Sequence, residues 1–285
     1  MGVTDCHVHV NPLHEMRPES RAILSESALT PEFLRMLEHP EEFLAYLDRS
    51  GVERAVLVNY VSHEVIGYSE KVNDFVSHFA SHDPERLIAV GGVLPTHRDP
   101  GGEVRRLVEE LGIRALKMHP PHQLFPPNAY VTDHLEGLRA IYEEAERLVI
   151  PVIFHTGTSV FPGARNRFGN PLLVEDVAID FPALPIVLAH GGRPFWTEEA
   201  MFLTRRFSNV YLEVSGVPPS KLLDYFPQLP RLADRVLFGS DWPGPGVRDI
   251  GANVRAVREL PLSADVIEQI LEKNPEKVFR RKRAS

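Results

Sequence analysis

The stretch Val3-Thr4-Asp5-Cys6-His7-Val8-His9-Val10-Asn11-Pro12 forms an apolar strand pattern that ends in two histidines, near the start of a 285-residue chain. Successive side chains of a strand point to opposite faces, so His7 and His9 share a face, about 6.5–7 Å apart along the strand. Two neutral imidazoles at this spacing can bind one transition metal, and without a ligand each buried ring needs another partner. The pair therefore predicts a ligand. Cys6 is expected on the opposite face, packed and inert.

Apolar, β-branched runs recur along the chain with helical patterns between them. They predict strands at 3–10, 54–61, 87–94, 113–119, 150–155, 186–190, 210–215 and 236–241, and helices at 33–49, 70–81, 104–111, 133–148, 172–180 and 197–206. Eight βα units over about 240 residues are typical of an α/β protein with the (β/α)8 TIM-barrel fold. The alternative, a doubly wound open sheet, usually has a Gly-rich turn after its first strand, where this chain has His9-Val10-Asn11-Pro12. The barrel is therefore favoured.

No change in composition and no linker divides the chain, so a single domain over residues 1–285 is predicted. The segment 14–40 between the first strand and its helix is long and polar, which suggests a partial lid over one end of the barrel. The segment 264–279 is predicted to be an amphipathic outer helix that Asn274-Pro275 interrupts.

The charge and composition of the chain exclude several classes of function. Lys and Arg number 31 against 39 Asp and Glu, for a net charge of −8, and the basic residues form no stripe, so no nucleic-acid partner is expected. The longest apolar runs are far shorter than the ~20 residues that span a bilayer, so no membrane association is expected. Without a signal-peptide pattern at the N-terminus, a cytoplasmic protein is predicted.

Chemically capable side chains fall at the ends of the predicted strands. They are His7, His9, Lys117, His119, His155, His190 and Asp241. Active-site groups of a (β/α)8 barrel come from the C-terminal ends of different strands, so we expect all of them at one mouth. Each residue alone has a structural explanation as a core histidine or a turn residue, but their shared position favours a site. Several imidazoles and one carboxylate suit Zn²⁺, or Fe or Mn by availability.

Five motifs carry a family resemblance. They are Thr4-Asp5-Cys6-His7-Val8-His9, Lys117-Met118-His119-Pro120, Phe154-His155-Thr156-Gly157, Ala189-His190-Gly191-Gly192 and Phe238-Gly239-Ser240-Asp241-Trp242-Pro243. Together they resemble the amidohydrolase superfamily, and in particular its amidohydrolase-2 branch, which contains aminocarboxymuconate-semialdehyde decarboxylase and related aromatic-acid decarboxylases. The resemblance extends from residue 3 to about residue 279. It implies a metal-dependent barrel enzyme, with a homodimer as a family-level expectation.

The resemblance implies that His7, His9, His155 and Asp241 ligate one divalent metal ion, most simply Zn²⁺. His190 would stand beside the metal and act with Asp241 in acid-base catalysis. Three neutral histidines and one carboxylate leave a divalent site near +1, so a bound water would lose its proton readily.

The alternative is a binuclear site, because Lys117-Met118-His119-Pro120 is similar to the strand-four motif in which a carboxylated lysine bridges two metals. Lys117 and His119 would then line a second-metal site, in which His155 and His190 would bind the second ion. If Lys117 is instead a buried ammonium, it needs an anion, which Asp241 or Glu213 could provide. The overall match to the one-metal branch favours a single ion.

Loop residues give weaker predictions about the substrate. Arg193 follows the strand-six motif closely and is expected to bind a substrate carboxylate, since a guanidinium can hold one with two hydrogen bonds. Trp242 is a candidate wall of the pocket. His122 is treated as a surface residue, together with other loop histidines.

The predicted metal ligands would serve two different reactions equally well. The first is hydrolysis of a C–N or C–O bond in a small carbonyl substrate by metal-activated water. The alternative is non-oxidative decarboxylation of an aromatic or unsaturated carboxylic acid, which would make the protein a carboxy-lyase. A metal-loaded binding protein without turnover is a third hypothesis, and the presence of His190 with Asp241 argues against it. The expected partner is a small molecule, for which a carboxylate is one candidate.

Overall fold

Parallel strands follow one another around one sheet in chain order. The computed structural model describes residues 2–24, 29–244, 246–247 and 249–280. Within these ranges the eight strands are β1 (Thr4–Val8), β2 (Arg54–Val58), β3 (Leu87–Gly91), β4 (Ala115–Met118), β5 (Val152–His155), β6 (Ile186–Ala189), β7 (Val210–Glu213) and β8 (Val236–Leu237). The residues that follow β8 close the barrel onto β1, since Asp241 N donates to His7 O at 2.8 Å and His9 N donates to Trp242 O at 2.8 Å. The (β/α)8 prediction is confirmed.

Helices surround this barrel. In the described ranges they are α1 (Pro18–Arg21), α2 (Pro31–Glu38), α3 (Pro40–Ser50), α4 (Lys71–Ala80), α5 (Pro100–Glu109), α6 (Pro120–Gln123), α7 (Ala129–Thr132), α8 (Glu136–Leu148), α9 (Glu175–Asp180), α10 (Thr197–Arg206), α11 (Leu222–Tyr225), α12 (Ile250–Arg258), α13 (Ala264–Glu268) and α14 (Asn274–Phe279). Short 3₁₀ turns lie at Leu13–Glu15, Asn166–Gly169, Pro171–Val174, His190–Gly192, Pro219–Lys221, Leu229–Arg231 and Ala233–Arg235. None of the helices in the described part of the chain combines the length and apolarity needed to cross a membrane.

Two predicted helices differ from the observed ones at proline residues. The predicted helix over 33–49 is two helices, because the residue before Pro40 avoids the helical region and His39 has φ −129° and ψ 83°. At the C-terminal end the backbone stays helical through Asn274, and a π-turn at Gln269–Lys273 precedes Pro275, which has no N–H to donate. Val278 and Phe279 then pack against the inward-facing apolar side chains of the barrel strands, so the prediction that this segment lies on the outside is only partly correct.

Alternation along the strands separates the inner from the outer face of the barrel. Ala115, Ile153 and Tyr211 belong to the inner apolar cluster, whereas Leu116 and Phe154 pack outward against the helices. Two residues further along β4, β5 and β7 the same inward positions hold Lys117, His155 and Glu213, all of them buried. The inner face therefore changes from apolar to polar towards the C-terminal ends of the strands.

Strand β1 contains a bulge that changes which residues face inward. Asp5 pairs with Ala55 and Val8 pairs with Leu57, so one extra residue of β1 lies between the two pairs. The two residues of such a bulge can share one face. His7 lines the cavity at the mouth and Cys6 packs in the inner cluster, so the expectation that Cys6 lies opposite His7 is wrong, although Cys6 is buried as expected.

Candidate metal centre

A cavity of about 350 Å³ opens at the C-terminal ends of the strands. All seven strand-end side chains expected at one mouth line it: His7, His9, Lys117, His119, His155, His190 and Asp241. Met16, Leu24, Leu29 and Phe33 of the 14–40 segment also line it. That this segment acts as a lid stays a prediction, and its residues 25–28 lie outside the described ranges.

Asp241 stands at the centre of the polar cluster. Its Oδ1 atom lies 3.2 Å from His9 Nε2 and 3.7 Å from His7 Nε2, and its Oδ2 atom lies 3.7 Å from Arg193 Nη2. His7, His190 and Asp241 each offer a ligand atom within 4.8 Å of the other two, which is a group able to hold a metal ion. The ring of His155 extends this group, with its centroid 4.7 Å from that of His190.

One buried carboxylate, Glu213, sets the orientation of two of these histidines. Its Oε2 atom accepts from His7 Nδ1 at 2.9 Å and from the Ser215 hydroxyl at 2.8 Å. Because the Ser215 proton goes to Glu213, Ser215 Oγ accepts from His190 Nδ1 at 2.8 Å. Both imidazoles thus carry a proton on Nδ1 and keep a lone pair on Nε2. This is the arrangement by which outer carboxylates orient metal-binding histidines.

The same reasoning applies to His9. Its Nδ1 atom lies 3.1 Å from the Val58 carbonyl oxygen, which can only accept, so Nδ1 carries the proton. In the neutral ring Nε2 then turns a lone pair towards Asp241 Oδ1, which is also an acceptor. The 3.2 Å contact therefore needs a cation between the two atoms, either a second proton on the His9 ring or a metal ion. Ligand atoms that share a tetrahedral zinc ion at ~2.0–2.1 Å are separated by about 3.3 Å.

Other buried nitrogen atoms at the mouth also lack partners. Among the described residues, His7 Nε2, His119 Nδ1, His155 Nε2 and Lys117 Nζ are buried without a hydrogen-bond partner. Unpaired buried polar atoms are rare in proteins because each one loses its hydration without compensation. The unpaired imidazole nitrogens fit a bound divalent cation, whereas the Lys117 ammonium has only donors and would need an anion.

Burial determines the charge state of the histidines. It lowers the pKa of His7, His155 and His190 well below the usual value, and nearby cations lower it further. These rings are therefore neutral, the form that binds metals. Burial alone would raise the pKa of Asp241, but the neighbouring side chains of His9, His7 and Arg193 outweigh it and lower the pKa to about 2.

Lys117 and Glu213 are two buried side chains of opposite charge that are not in direct contact. Burial lowers the pKa of Lys117 to about 8, opposed by the charges of Glu213 and Asp241, and burial raises the pKa of Glu213 to about 7, opposed by hydrogen bonds from Ser215. The structure shows no ion pair within 4.0 Å between Lys117 and either carboxylate in the part of the chain that it describes. The expected counter-charges are present, but direct pairing is not.

The backbone is strained where two of these side chains enter the site. His190 has φ 65° and Asp241 has φ 67°, the left-handed region that non-glycine residues rarely adopt. Such strain concentrates at functional sites, where the surrounding structure enforces it. Gly239 is needed for a different reason, since a Cβ atom there would lie 2.7 Å from His7 Cβ and would collide with the Glu213 carboxylate.

With this geometry in place, comparison with protein families is informative. The Amidohydro_2 model, described as Amidohydrolase, matches residues 4–281. The chain belongs to the amidohydrolase family. The predicted amidohydrolase-2 branch is thereby confirmed, and with it membership of an enzyme superfamily. No curated protein sequence matches this amidohydrolase.

Solved structures share the fold of this amidohydrolase at low sequence identity. An uncharacterized TIM-barrel protein from Bordetella bronchiseptica has a TM-score of 0.77 at 24% identity, with 98% of each chain covered. A 5-carboxyvanillate decarboxylase from Novosphingobium aromaticivorans, with bound manganese, has a TM-score of 0.69 at 16% identity, with 98% of this chain and 97% of that chain covered. A 4-oxalomesaconate hydratase from Rhodopseudomonas palustris has a TM-score of 0.67 at 20% identity, with 97% and 95% covered.

The amidohydrolase cavity corrects two expectations about individual residues. His122, expected on the surface, is buried and lines the cavity. Its neighbour Pro120 begins helix α6, which places the His122 ring on that of His119, with centroids 3.5 Å apart. A proline at the first helical position between two histidines three residues apart is the signal that could have predicted this.

Trp242 is the second correction, since its ring turns away from the mouth. It is buried against Phe33, Phe43 and Tyr46, at centroid distances of 5.1 to 5.9 Å. It is not among the described residues that line the cavity, so the interpretation of Trp242 as a wall of the substrate pocket is wrong. Arg193 does reach the cavity, where its Nη1 atom donates to the Thr158 carbonyl at 3.4 Å.

Proposed function

We propose that this amidohydrolase is a metal-dependent carboxy-lyase that releases CO₂ from a small aromatic or unsaturated carboxylic acid. The observation that carries the proposal is the position of two cationic side chains, Lys117 and Arg193, in one cavity with the histidine-aspartate cluster. This cluster consists of His7, His9, His155, His190 and Asp241. Ammonium and guanidinium groups with free donors bind carboxylates. Lys117 Nζ and Arg193 Nε are both buried and lack a partner among the described residues, so both have a donor to offer.

The remaining walls of the cavity suit the apolar body of such an acid. Phe33, Tyr60, Tyr68 and Phe161 supply aromatic surface around the polar floor. A volume of about 350 Å³ is at the lower end of the range for small-molecule sites, which fits one ring-sized ligand. The names of two structural relatives, a decarboxylase and a hydratase, are those of lyases, which supports this class over the hydrolase expected first from the sequence.

We assign the metal ligands to His7, His9, His155 and Asp241, with one divalent cation, Zn²⁺ or Mn²⁺. Among the described residues one group of three side chains, His7, His190 and Asp241, has ligand atoms close enough to share an ion; it contains two of the four assigned ligands, and a single such group supports one cation rather than a binuclear centre with carboxylated Lys117. When bound, the cation supplies a Lewis acid that draws electron density from oxygen atoms of the substrate. His190 lies next to the assigned ligands His7 and Asp241 with its Nε2 lone pair available, because its Nδ1 proton is donated to Ser215.

The side chains divide the rest of the reaction between them. Arg193 and Lys117 hold the reacting carboxylate. When the bond to CO₂ breaks, its electron pair stays on the substrate carbon, and one proton must reach that carbon to complete the product. Because Asp241 is ionised and His190 Nε2 carries a lone pair, this proton must first come from water: Asp241, in contact with His9 and with a side chain 14% exposed, would take it up and pass it to the carbon, and His190 would assist the transfer.

A parallel assay separates the two reactions that use this site. Metal-loaded protein is incubated with a panel of aromatic and unsaturated carboxylic acids while CO₂ is measured, and separately with esters, lactones and amides. We expect CO₂ release, its loss in His190→Asn with metal content unchanged, and full activity in His97→Asn, which alters an exposed histidine outside the cavity. Hydrolysis without CO₂ release, lost in His190→Asn, would show that the protein is a hydrolase instead.

A further inference from the structure

A chain of hydrogen bonds crosses one wall of the cavity away from the histidine-aspartate cluster. The Tyr60 hydroxyl lies 2.8 Å from His122 Nδ1, and His122 Nε2 lies 2.6 Å from the Ser159 hydroxyl. Tyr60 and His122 are buried, Ser159 is partly exposed, and all three line the cavity. The proposed decarboxylation assigns no role to these three hydrogen-bonded side chains.

A row of stacked rings sets the position of this chain relative to the reacting centre. The His119 ring lies between those of His155 and His122, at centroid distances of 3.8 and 3.5 Å. The centroids of His155 and His122 are 6.3 Å apart. The Tyr60 ring lies 4.9 Å from that of His119 and 5.9 Å from that of His122, so Tyr60 belongs to the side of the cavity that the His119 ring separates from His155.

Counting protons shows what the chain can offer a ligand. Tyr60, neutral His122 and Ser159 each carry one exchangeable proton, and the two hydrogen bonds between them use two of the three. Burial lowers the pKa of His122 to about 3, with the charge of Lys117 acting in the same direction, so the ring is neutral. One proton is left over, and it lies on the hydroxyl at one end of the chain.

The backbone favours the Tyr60 end. The amide of Phe161 donates to Ser159 Oγ at 3.2 Å, which occupies an acceptor site on that oxygen and favours Ser159 as the donor to His122 Nε2. His122 then carries its proton on Nδ1 and donates to the Tyr60 oxygen. The Tyr60 hydroxyl proton remains free to point into the cavity, at a site already desolvated by burial.

We propose that Tyr60, positioned by His122 and Ser159, forms a subsite that donates a hydrogen bond to a second oxygen function of the substrate. The inference rests on the proposed function and narrows its substrate class. The acid would carry a hydroxyl or a second carboxylate across the ring or chain from the carboxylate that reacts. Tyr60 contacts this oxygen, whereas His122 and Ser159 act through Tyr60.

Ligand pairs that differ by one hydroxyl test the subsite without turnover. Dissociation constants of benzoate, 3-hydroxybenzoate and 4-hydroxybenzoate are measured by calorimetry on the metal-loaded protein. We expect at least one hydroxybenzoate to bind the wild type about tenfold more tightly than benzoate, the value of one buried hydrogen bond. This advantage should vanish in Tyr60→Phe while benzoate binding stays unchanged. Tyr130→Phe is the matched control, since it removes a buried tyrosine hydroxyl that bonds Asp180 instead.

Ser159→Ala gives a second test at the partly exposed end of the chain, should Tyr60→Phe fold poorly. We expect the hydroxyl advantage to fall about threefold, because His122 loses the group that holds Nε2, with benzoate binding again unchanged. The subsite is refuted if neither hydroxybenzoate binds the wild type better than benzoate, or if the advantage survives both substitutions. CO₂ release without this hydroxyl advantage would overturn the subsite alone, and an advantage without CO₂ release would overturn the carboxy-lyase alone.

Discussion

The barrel interior has a lower half, towards the N-terminal ends of the strands, and an upper half, towards their C-terminal ends. Both follow the same alternation of inward and outward residues, but the lower half is apolar and the upper half is polar. In the lower half Val56, Ile88 and Ile153 pack with Val278 and Phe279 from the C-terminal helix in a closed apolar cluster. In the upper half the inward positions hold Lys117 and the histidine-aspartate cluster, with several buried nitrogen atoms that have no partner in the described chain. The lower half stabilises the fold, whereas the upper half places groups whose partners must come from a ligand.

The largest expected difference between the halves is metal binding. A His7→Ala/His9→Ala double variant should drop from about one equivalent of divalent metal to almost none and lose turnover by at least ~10³-fold, since two ligands of one ion are removed. Elemental analysis and the CO₂ assay measure both. The matched control, His78→Ala/His97→Ala, removes two exposed histidines outside the cavity and should change neither. Full metal retention in the first variant would refute the centre.

The converse prediction concerns the lower half. Phe279→Ala should lower the free energy of unfolding by about 3–5 kcal/mol, the range for truncating a buried phenylalanine, while leaving metal content at one equivalent. Denaturant melts and elemental analysis of the folded protein measure the two effects. Phe195→Ala, at a side chain 72% exposed, should change stability by less than about 0.5 kcal/mol. If Phe279→Ala removed metal from folded protein, the division between the halves would fail.

These two halves differ in how well the sequence predicts them. The alternation that buries Ile153 below His155 is visible in the sequence, and the rule that strand ends meet at one mouth brought seven distant residues together correctly. The bulge in β1 was not predictable from the pattern, because pairing with β2 creates it. It places Cys6 and His7 on the same side of the strand, where simple alternation separates them.

The missed residues of the site have similar causes. His122 follows two prolines in a segment interpreted as a loop, although a proline at the first helical position is the signal for the short helix that stacks it on His119. Trp242 follows Asp241 in the strand-eight motif, but the strained backbone at Asp241 turns the next residue into the core. The double contact of Glu213 with His7 and Ser215 depends on distances between strands β1 and β7, which no local pattern contains.

Glu213→Gln tests how much the metal affinity of the upper half depends on a side chain that orients the ligands and does not itself bind the metal. The amide can accept from His7 but then turns its NH₂ group towards the Ser215 amide, which now donates to the carboxylate. We expect metal affinity to fall about 10–100-fold. Glu144→Gln is the control, because this carboxylate pairs with Arg105 and Arg147 outside the cavity. A competitive chelator titration that gave equal affinities for wild type and Glu213→Gln would refute the role of Glu213.

The smallest predicted effect has opposite signs for stability and for binding. Lys117→Met keeps the length of the side chain but removes a buried ammonium without a hydrogen-bond partner, so the free energy of unfolding should rise by about 1 kcal/mol. Loss of the same charge should weaken benzoate binding about tenfold, because one of the two cations that hold the carboxylate is gone. Lys71→Met, at an exposed lysine outside the cavity, should leave benzoate binding unchanged. If the variant is less stable and binds benzoate normally, Lys117 is a structural residue. It would then belong with the lower half of the barrel interior, which stabilises the fold.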